Sequence, residues 1–461
     1  MRSCPRIVIA GTQSGVGKTS VSLALIAALR RRGYRVQTFK VGPDFLDPSY
    51  LAMASGRPCY NLDGWMTGKD YVCRLFSRAT KDADIGVVEG VMGLFDGADP
   101  ATLEGSTAEI AGWLRAPVIL VANAHGMGRS LAALVKGYAD FEPEVKVAGV
   151  IANQCGSERH IAWLSDSLRV SSLPPLVGAI PRNAFPELEG RHLGLVTAHS
   201  GNLSGAVLEA FANVFELHGS VDDVLQLSQG LPSLRTPSPE GLTPSKAIRI
   251  GVAFDAAFHF YYQDLFDEME LRGSELIRFS PMKDNSLPER LDALYLGGGY
   301  PEEHAEALSA NRQMLTEVRQ FAASDRPVYA ECGGLIYLSR SLETLDGKQY
   351  PLVGLLPANT RMLNRKKSLG YVEVTLEEDS LWGAKGTTLR GHEFHYSELT
   401  EDPTTVNPDW KTIYRVRRPL SGVAADEGFQ CGQVLVSYAH LHLASRPEAV
   451  ERFITRCGGK S

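Results

Sequence analysis

A glycine-rich loop between an apolar strand and a helical pattern constrains the fold of this chain most strongly. Residues 7–20 read Ile-Val-Ile-Ala-Gly-Thr-Gln-Ser-Gly-Val-Gly-Lys-Thr-Ser. Backbone N–H groups in such a loop surround phosphate oxygens, and the positive end of the following helix dipole adds to the attraction. The lysine neutralises terminal phosphates and the threonine hydroxyl binds Mg²⁺. The loop therefore predicts an ATP site with Mg²⁺, bound by Gly11, Thr12, Gly15, Gly17, Lys18 and Thr19.

The length of this loop favours one class of phosphate-loop protein over another. Five residues separate Gly11 from Gly17, one more than in the common form. That spacing is typical of enzymes that resemble dethiobiotin synthetase. Partition-type ATPase switches have a similar loop, but they carry a signature lysine early in it, where this chain has Thr12, Gln13 and Ser14. A switch ATPase is kept as the alternative from a different functional class.

The order of apolar runs predicts two α/β domains. Buried parallel strands are continuous apolar runs, and their alternation with helical patterns indicates a doubly wound parallel sheet. Such runs occur at 7–10, 85–88, 118–122 and 147–151, and they restart at 248–254. Between them, residues 219–246 are rich in Pro, Ser, Thr and Gly, which is typical of a linker. We therefore expect an ATP-binding domain at 1–218, a linker at 219–246 and a second α/β domain at 247–461.

Composition excludes several classes of function. The 461 residues are 44% hydrophobic and 22% charged with a net charge of -6, which is globular and argues against nucleic acid as the main partner. Seven cysteines without C-x-x-C spacing argue against a disulfide framework or a zinc site. No apolar stretch approaches the ~18 residues that a membrane span needs. We expect a soluble cytoplasmic protein; the sequence leaves its oligomeric state open.

Carboxylates after two strands are candidate metal and substrate ligands. Glu89 follows the run at 85–88, beside the phosphate loop, where Mg²⁺ is commonly held. Glu89 and Thr19 are thus the first metal candidates. Asp96, farther along the same loop, is expected to bind metal or to position substrate. The alternative for both carboxylates is that they are solvent-exposed acids of a loop without a functional role.

A second segment, Phe-Lys-Val-Gly-Pro-Asp-Phe-Leu-Asp-Pro at 39–48, also follows a strand. Lys40 is placed to stabilise a transferring phosphoryl group, where negative charge develops. Asp44 and Asp47 are candidates for a second Mg²⁺ or for aligning the substrate. A Gly-Pro turn with solvated acids is the alternative.

Other polar residues near these strands are weaker candidates. Arg57, Asn61 and Asp63 stand together in Gly-Arg-Pro-Cys-Tyr-Asn-Leu-Asp-Gly-Trp, and either substrate contacts or plain loop structure would explain them. Asn123 and Asn153 each follow an apolar strand and could read the adenine edge or ribose of ATP. Asn153, in Ile-Ala-Asn-Gln, is the preferred residue.

The second domain carries the pattern of a cysteine nucleophile. Residues 326–335 read Arg-Pro-Val-Tyr-Ala-Glu-Cys-Gly-Gly-Leu, a strand that turns sharply at Cys332 into a helical pattern. The helix N-terminus favours the thiolate. Upstream glycines at 297–299 and Gly333 offer backbone N–H groups for an oxyanion hole, assigned to Gly299 and Gly333. The base is expected among His440 and His442, in Val-Ser-Tyr-Ala-His-Leu-His-Leu, read as a strand ending in two histidines on one face.

Taken together, these motifs resemble the cobyrinic acid a,c-diamide synthase family over nearly the whole chain. The supporting segments are 11–19, 40–48, 87–97, 330–335, 391–397 and 437–442. The family fuses a dethiobiotin-synthetase-like ATP domain to a triad-type glutamine amidotransferase domain. The resemblance implies ATP- and glutamine-dependent amidation of a corrinoid polycarboxylate at its a and c acetates through acyl phosphates. It also selects His440 as the base for Cys332. Because ammonia released into water would be protonated to ammonium, which is not nucleophilic, we expect a sequestered passage for it between the domains.

Two points stay open after this comparison of motifs. Triad glutaminases usually have a Glu two residues after the catalytic His, and here that position is His442, so the third triad member is unassigned. Relatives that act on hydrogenobyrinic acid or nickel sirohydrochlorin have nearly the same motifs. Cobyric acid synthase ranks lower because its histidine region usually reads Tyr-Leu-His-Gly.

Overall fold

The computed structural model describes residues 4–187, 190–191, 194–195, 203–234, 247–419 and 422–458. The chain divides into two compact units, Met1–Ser238 and Pro239–Ser461. Each unit is α/β, which confirms the expected fold class. Among the described residues, no helix combines the length and the apolar character that crossing a membrane requires.

The first unit is built on a parallel sheet of seven strands among the described residues, in the order β3-β2-β4-β1-β5-β6-β7. Its strands are β1 Arg6–Gly11, β2 Val36–Val41, β3 Tyr60–Leu62, β4 Ile85–Glu89, β5 Val118–Asn123, β6 Val147–Cys155 and β7 Leu176–Pro181, followed by a small hairpin of β8 Gly190–Arg191 and β9 Gly194–Leu195. The apolar runs predicted as strands are buried along their length, because helices cover both faces of a parallel sheet. Their carboxyl ends share one edge, where the candidate ATP-site residues lie.

Helices pack on both faces of this sheet. They are α1 Lys18–Arg31, α2 Asp47–Ser55, α3 Gly64–Ala79, α4 Thr107–Leu114, α5 Ser130–Phe141, α6 Glu158–Val170, α7 Gly205–His218 and α8 Val221–Leu227. Helix α1 is buried along most of its length, from Val21 to Leu29, and belongs to the main hydrophobic core of the unit. This burial fixes the helix N-terminus directly after the glycine-rich loop.

The predicted linker begins too early. Residues 221–227, which were assigned to it, form α8, and Val221 and Val224 are buried in the first core. The two valines are three residues apart and so lie on one face of the helix. The signal was hidden because seven residues are too few to show an amphipathic period clearly. Residues 235–246, which hold most of the linker prolines, lie outside the described residues.

The second unit contains a mixed sheet of ten strands among the described residues, in the order β11-β10-β12-β13-β22-β21-β20-β17-β18-β23, and a smaller sheet in the order β15-β14-β16-β19. The first five strands of the large sheet are parallel and the others antiparallel. The strands are β10 Ile248–Ala253, β11 Ser274–Phe279, β12 Ala293–Leu296, β13 Val328–Glu331, β14 Ser341–Glu343, β15 Gln349–Pro351, β16 Thr360–Met362, β17 Ser368–Leu376, β18 Thr388–His395, β19 Ser397–Leu399, β20 Lys411–Arg417, β21 Ala424–Cys431, β22 Val434–Ser437 and β23 His440–Leu441.

The helices of this unit are α9 Gln263–Leu271, α10 Ala305–Ala310, α11 Arg312–Ala323, α12 Gly333–Leu338, α13 Pro403–Val406 and α14 Pro447–Cys457, with 3-10 turns at Pro301–His304 and Leu443–Ser445. Strand β13 lies between β12 and β22, in the middle of the parallel part of the sheet. The residue after it, Cys332, therefore stands where the ends of three neighbouring strands meet. This placement brings the predicted glycine turn, nucleophile and histidine together.

Candidate active sites

The phosphate loop has the local geometry that its glycines predict. Gly15 and Gly17 adopt positive φ angles of 77° and 96°. A Cβ atom added to Gly17 would lie 2.4 Å from Nδ2 of Asn153, so that position has room for glycine alone. The Thr12 N–H donates to the Val121 carbonyl at 3.0 Å and ties the loop to the next strand. The loop is therefore fixed between β1 and α1.

Lys18 and Asn153 both contact the backbone around this loop. Lys18 Nζ donates to the carbonyl of Met92 at 2.5 Å and to that of Gln13 at 3.3 Å. Burial, and then the neighbouring Lys40, lowers the pKa of Lys18. Asn153 Nδ2 donates to the Val16 carbonyl at 2.9 Å, so the amide braces the loop from β6. Its assignment to adenine or ribose stays a prediction.

The two metal candidates named first lie next to each other. The Thr19 hydroxyl donates to Glu89 Oε1 at 2.8 Å. Glu89 is fully buried at the end of β4, and burial raises its pKa. Its second oxygen, Oε2, is buried without a hydrogen-bond partner in the described part of the chain. An unsatisfied buried carboxylate oxygen beside a P-loop threonine fits a Mg²⁺ ligand set of this kind.

Lys40 lies at the centre of three carboxylates. Its Nζ is 2.5 Å from Asp47 Oδ2, 2.9 Å from Glu89 Oε1 and 3.8 Å from Asp44 Oδ2. Burial alone would lower the pKa of Lys40, but Glu89 and Asp47 raise it well above its ordinary value. Burial and the charge of Asp47 raise the pKa of Asp44 to about 7. The structure thus brings together Lys40, Asp44, Asp47 and Glu89, which the sequence placed on two separate loops.

The weaker candidates of the first unit have clear structural partners. Arg57 pairs with Asp82 at 2.7 Å, and Asp63 caps α3 by accepting from the Met66 N–H at 2.7 Å. These contacts explain Arg57 and Asp63 without a substrate. Asn61 donates to the carbonyls of Gly42 and Asp44 at 2.9 and 2.8 Å, so it holds the loop that carries Asp44.

Asp96 and Asn123 are exposed and close local turns. Asp96 Oδ2 accepts from the Gly93 N–H at 2.8 Å, and Asn123 Oδ1 accepts from the His125 N–H at 2.9 Å. Both side chains lie at the edge of the sheet where the phosphate loop begins. The proposed substrate or metal contact of Asp96 stays a prediction.

Cys332 occupies a sharp turn between β13 and α12. Its φ and ψ angles are 51° and −99°, an uncommon conformation for a residue with a side chain. The Cys332 N–H donates to the Ser437 carbonyl at 2.8 Å, which anchors the turn to β22. Strained backbone of this kind is stored at functional sites. The geometry is that of a nucleophile elbow.

The glycine turn after β12 lies against this elbow. Gly299 has a φ of 155°, and a Cβ there would meet the Ala257 carbonyl oxygen at 2.1 Å. A Cβ on Gly333 would lie 3.0 Å from the Gly299 nitrogen, so the backbone of the two residues is in close approach. A Cβ on Gly298 would lie 2.5 Å from the His440 ring. The structure thus brings Gly299, Gly333 and His440 around Cys332.

His440 contacts both the nucleophile and the residue before it. Burial lowers the pKa of His440, but Cys332 and Glu331 outweigh burial and raise it to about 10. His440 Nδ1 lies 3.6 Å from Glu331 Oε1. A pKa this high favours an imidazolium beside the sulfur of Cys332. Glu331 belongs to the sequence motif around Cys332, but the motif alone indicated no role for it.

The strand that was expected to end in both histidines is interrupted, which corrects the sequence-based interpretation. Strand β22 ends at Ser437, and His440 then pairs with His392 of β18. His442 turns to another acid: its Nε2 lies 3.3 Å from Asp264 Oδ2. The interruption lies where the chain leaves the parallel strands after Ser437 and joins the antiparallel strand β18 at His440.

Tyr262, directly before α9, contacts the histidines around Cys332. Tyr262 bonds its hydroxyl to His392 Nδ1 at 2.9 Å, and its ring packs 4.4 Å from the ring of His442. His392 in turn stacks on His440 at a centroid distance of 4.9 Å. Nothing near Tyr262 in the sequence indicates the histidines that it contacts.

Comparison with protein families assigns each unit. The first matches the CobQ/CobB/MinD/ParA nucleotide binding domain over residues 7–196, and the second matches the CobB/CobQ-like glutamine amidotransferase domain over residues 249–448. The first family also covers partition-type ATPases, but the glutamine amidotransferase domain in the same chain does not favour a switch function.

Curated relatives match over the full chain. A cobyrinate a,c-diamide synthase of Syntrophotalea carbinolica is 55% identical over 100% of both chains. Those of Leptospira interrogans serovar copenhageni and Archaeoglobus fulgidus are 42% and 38% identical, over 98% of this chain and 98% and 97% of theirs. The resemblance found in the motifs is confirmed. The chain belongs to the cobyrinate a,c-diamide synthase family, ligases that form carbon–nitrogen bonds with ATP and with glutamine as the amide donor.

Proposed function

We propose that this chain amidates the a and c acetate carboxylates of cobyrinic acid, a corrinoid, through acyl phosphates. The observation that carries the proposal is the Cys332–His440 pair at a strained elbow, in the same chain as a phosphate loop beside which three carboxylates surround Lys40. The first site supplies an activated carboxylate and the second supplies ammonia. Two carboxylates would require two ATP and two glutamine molecules for each corrinoid.

Glutamine hydrolysis begins at Cys332. The thiolate attacks the carbonyl carbon of the side-chain amide, and the Gly299 and Gly333 N–H groups stabilise the oxyanion. His440, as imidazolium, gives its proton to the departing nitrogen, so ammonia leaves and a thioester remains. Water then attacks the thioester, with His440 accepting its proton, and glutamate is released.

The first site makes the carboxylate reactive. A carboxylate oxygen of the substrate attacks the γ-phosphorus of ATP, ADP leaves, and an acyl phosphate forms. Lys18 and Lys40 stabilise the charge on the transferring group. Ammonia then attacks the acyl carbon, phosphate leaves, and loss of a proton gives the carboxamide.

Thr19, Glu89 and Asp44 are the residues that would hold Mg²⁺. The unsatisfied Glu89 Oε2 fits this assignment. When bound, Mg²⁺ neutralises β- and γ-phosphate charge. The cytoplasmic location stays a prediction from the sequence.

The substrate is tested by offering the protein each candidate with ATP, Mg²⁺ and glutamine. Cobyrinic acid, hydrogenobyrinic acid and nickel sirohydrochlorin are incubated separately, and mass spectrometry counts the carboxylates converted to amides. We expect two amides on cobyrinic acid. At low substrate concentration we expect cobyrinic acid to be amidated faster than the other two tetrapyrroles. If either of the other tetrapyrroles is amidated faster, that compound, and not cobyrinic acid, is the substrate. ATP turnover that ignores both glutamine and tetrapyrroles would overturn the proposal altogether.

A further inference from the structure

The second unit contains two buried imidazole–carboxylate pairs. His440 faces Glu331 at 3.6 Å and His442 faces Asp264 at 3.3 Å. All four side chains are at most 3% exposed. A cysteine–histidine pair commonly has a third group that orients the base. The usual position of that acid, two residues after the histidine, is taken by His442 itself.

Glu331 is held rigidly by hydroxyl groups. The Tyr295 hydroxyl donates to Glu331 Oε1 and the Tyr329 hydroxyl donates to Oε2, each at 2.8 Å. Both tyrosines are buried, which raises the pKa of each well above its ordinary value and keeps the phenols protonated as donors. Glu331 is also the last residue of β13 and directly precedes the nucleophile, so its backbone position is tied to that of Cys332.

The geometry points to Glu331 as the positioning carboxylate of the glutaminase site, the third member that completes Cys332 and His440. Because Glu331 faces Nδ1, the other ring nitrogen, Nε2, is left to exchange a proton with the thiol. A carboxylate at Nδ1 fixes the tautomer and stabilises the imidazolium that donates its proton to ammonia. This inference rests on the proposed glutamine hydrolysis at Cys332.

The alternative acid, Asp264, acts on a different ring. Asp264 lies in the first turn of α9 and contacts His442, whose ring packs on Tyr262. The groups that face His440 itself are Cys332, Glu331, His392 and His395. Burial, followed by the neighbouring imidazoles, holds the pKa of His392 well below its ordinary value, so it is neutral at physiological pH. Glu331 is thus the carboxylate that faces the base.

The test is the pH dependence of glutamate release by the full chain supplied with ATP, Mg²⁺ and cobyrinic acid. In Glu331→Gln, loss of the negative charge lowers the pKa of His440. We expect the upper limb of the kcat/KM profile for glutamine to move to lower pH by roughly 1 to 3 units, the range that one nearby opposite charge produces. We expect kcat to fall at least ~10-fold. Amidation with added ammonia should be retained.

Asp264→Asn is the matched comparison, since it removes the charge from the other pair. Its upper limb should stay at the wild-type pH. A limb that is unmoved in Glu331→Gln, or that moves in Asp264→Asn instead, would overturn the assignment. If Glu331→Gln does not fold, Glu331→Asp is tested in its place. The shorter side chain keeps the negative charge but moves it away from the His440 ring. We then expect kcat to fall while the upper limb of the pH profile stays near its wild-type pH. A wild-type kcat in Glu331→Asp would contradict a positioning role.

Discussion

Lys40 Nζ lies 2.9 Å from Glu89 Oε1, and the same oxygen accepts the Thr19 hydroxyl at 2.8 Å. One carboxylate at the end of β4 therefore connects the phosphate loop to the loop after β2. Removing a partner from a buried charge cluster leaves the others uncompensated. Glu89 thus links the residues proposed for phosphoryl transfer through direct contacts. A substitution at one of them should therefore impair the function of the others.

Glu89→Gln should impair amidation from either nitrogen source. The amide keeps the size of the side chain but loses the charge that faces Lys40 and the oxygen proposed for Mg²⁺. We expect a fall in kcat of about 100-fold or more, the scale of losing one electrostatic contact to a transition state. Amide formation is measured with glutamine and with ammonia. Asp82→Asn, on the surface, should leave both rates unchanged; near wild-type rates in Glu89→Gln would refute the assignment.

Cys332→Ala should separate the two nitrogen sources. Without the thiol, glutamine cannot form a thioester, so amidation with glutamine should disappear. Amidation with a high concentration of ammonia should persist because the ATP site is in the other unit. The assay follows amide formation and glutamate release in parallel. Cys431→Ala, a half-buried cysteine, should behave as wild type. Loss of both activities in Cys332→Ala would argue against a simple glutaminase role.

Gly299→Ala should damage glutamine hydrolysis through the oxyanion hole. The added Cβ would meet the Ala257 carbonyl oxygen at 2.1 Å, so the turn that presents the Gly299 N–H must move. Loss of one oxyanion donor typically lowers kcat by about 100- to 1,000-fold. Gly347→Ala is the control, because Gly347 also has a positive φ, 79°, but has open space around it. Equal effects in both variants would show backbone strain alone.

Much of the fold could be predicted from the sequence because its signals are local. The strand runs of the first unit and the glycine-rich loop were predicted within a few residues. The elbow at Cys332 was visible for the same reason. Helix α8 was not predicted, because Val221 and Val224 are identified as core residues only by their packing against residues distant in sequence.

The parts of the site that were missed depend on distant contacts. Glu331 is a charged residue within an otherwise apolar strand, which was a signal that the sequence offered. Nothing near it in the chain shows that its partners are Tyr295 and His440, because these arrive through the order of strands in the sheet. Asp264 and His442 are likewise far apart in sequence. Family resemblance named the base but left its carboxylate unassigned.

Glu427→Gln should change the pH dependence of folding stability. Burial raises the pKa of Glu427 from its ordinary 4.5 to about 7, although hydrogen bonds from the Ser437 hydroxyl and the Tyr438 N–H oppose the shift. A carboxyl group whose pKa is raised by folding stabilises the native state below pH ~4.5 and loses that contribution as pH rises through about 7. The wild type should therefore lose stability between pH 5 and 8, and the glutamine variant should lose less over that window. Urea unfolding at both pH values gives the comparison. Glu398→Gln is the control: Lys367 and Arg361 lower the pKa of Glu398, so this carboxyl titrates below the window and the variant should keep the wild-type slope. Parallel curves for wild type and Glu427→Gln would mean that Glu427 titrates normally in the folded protein.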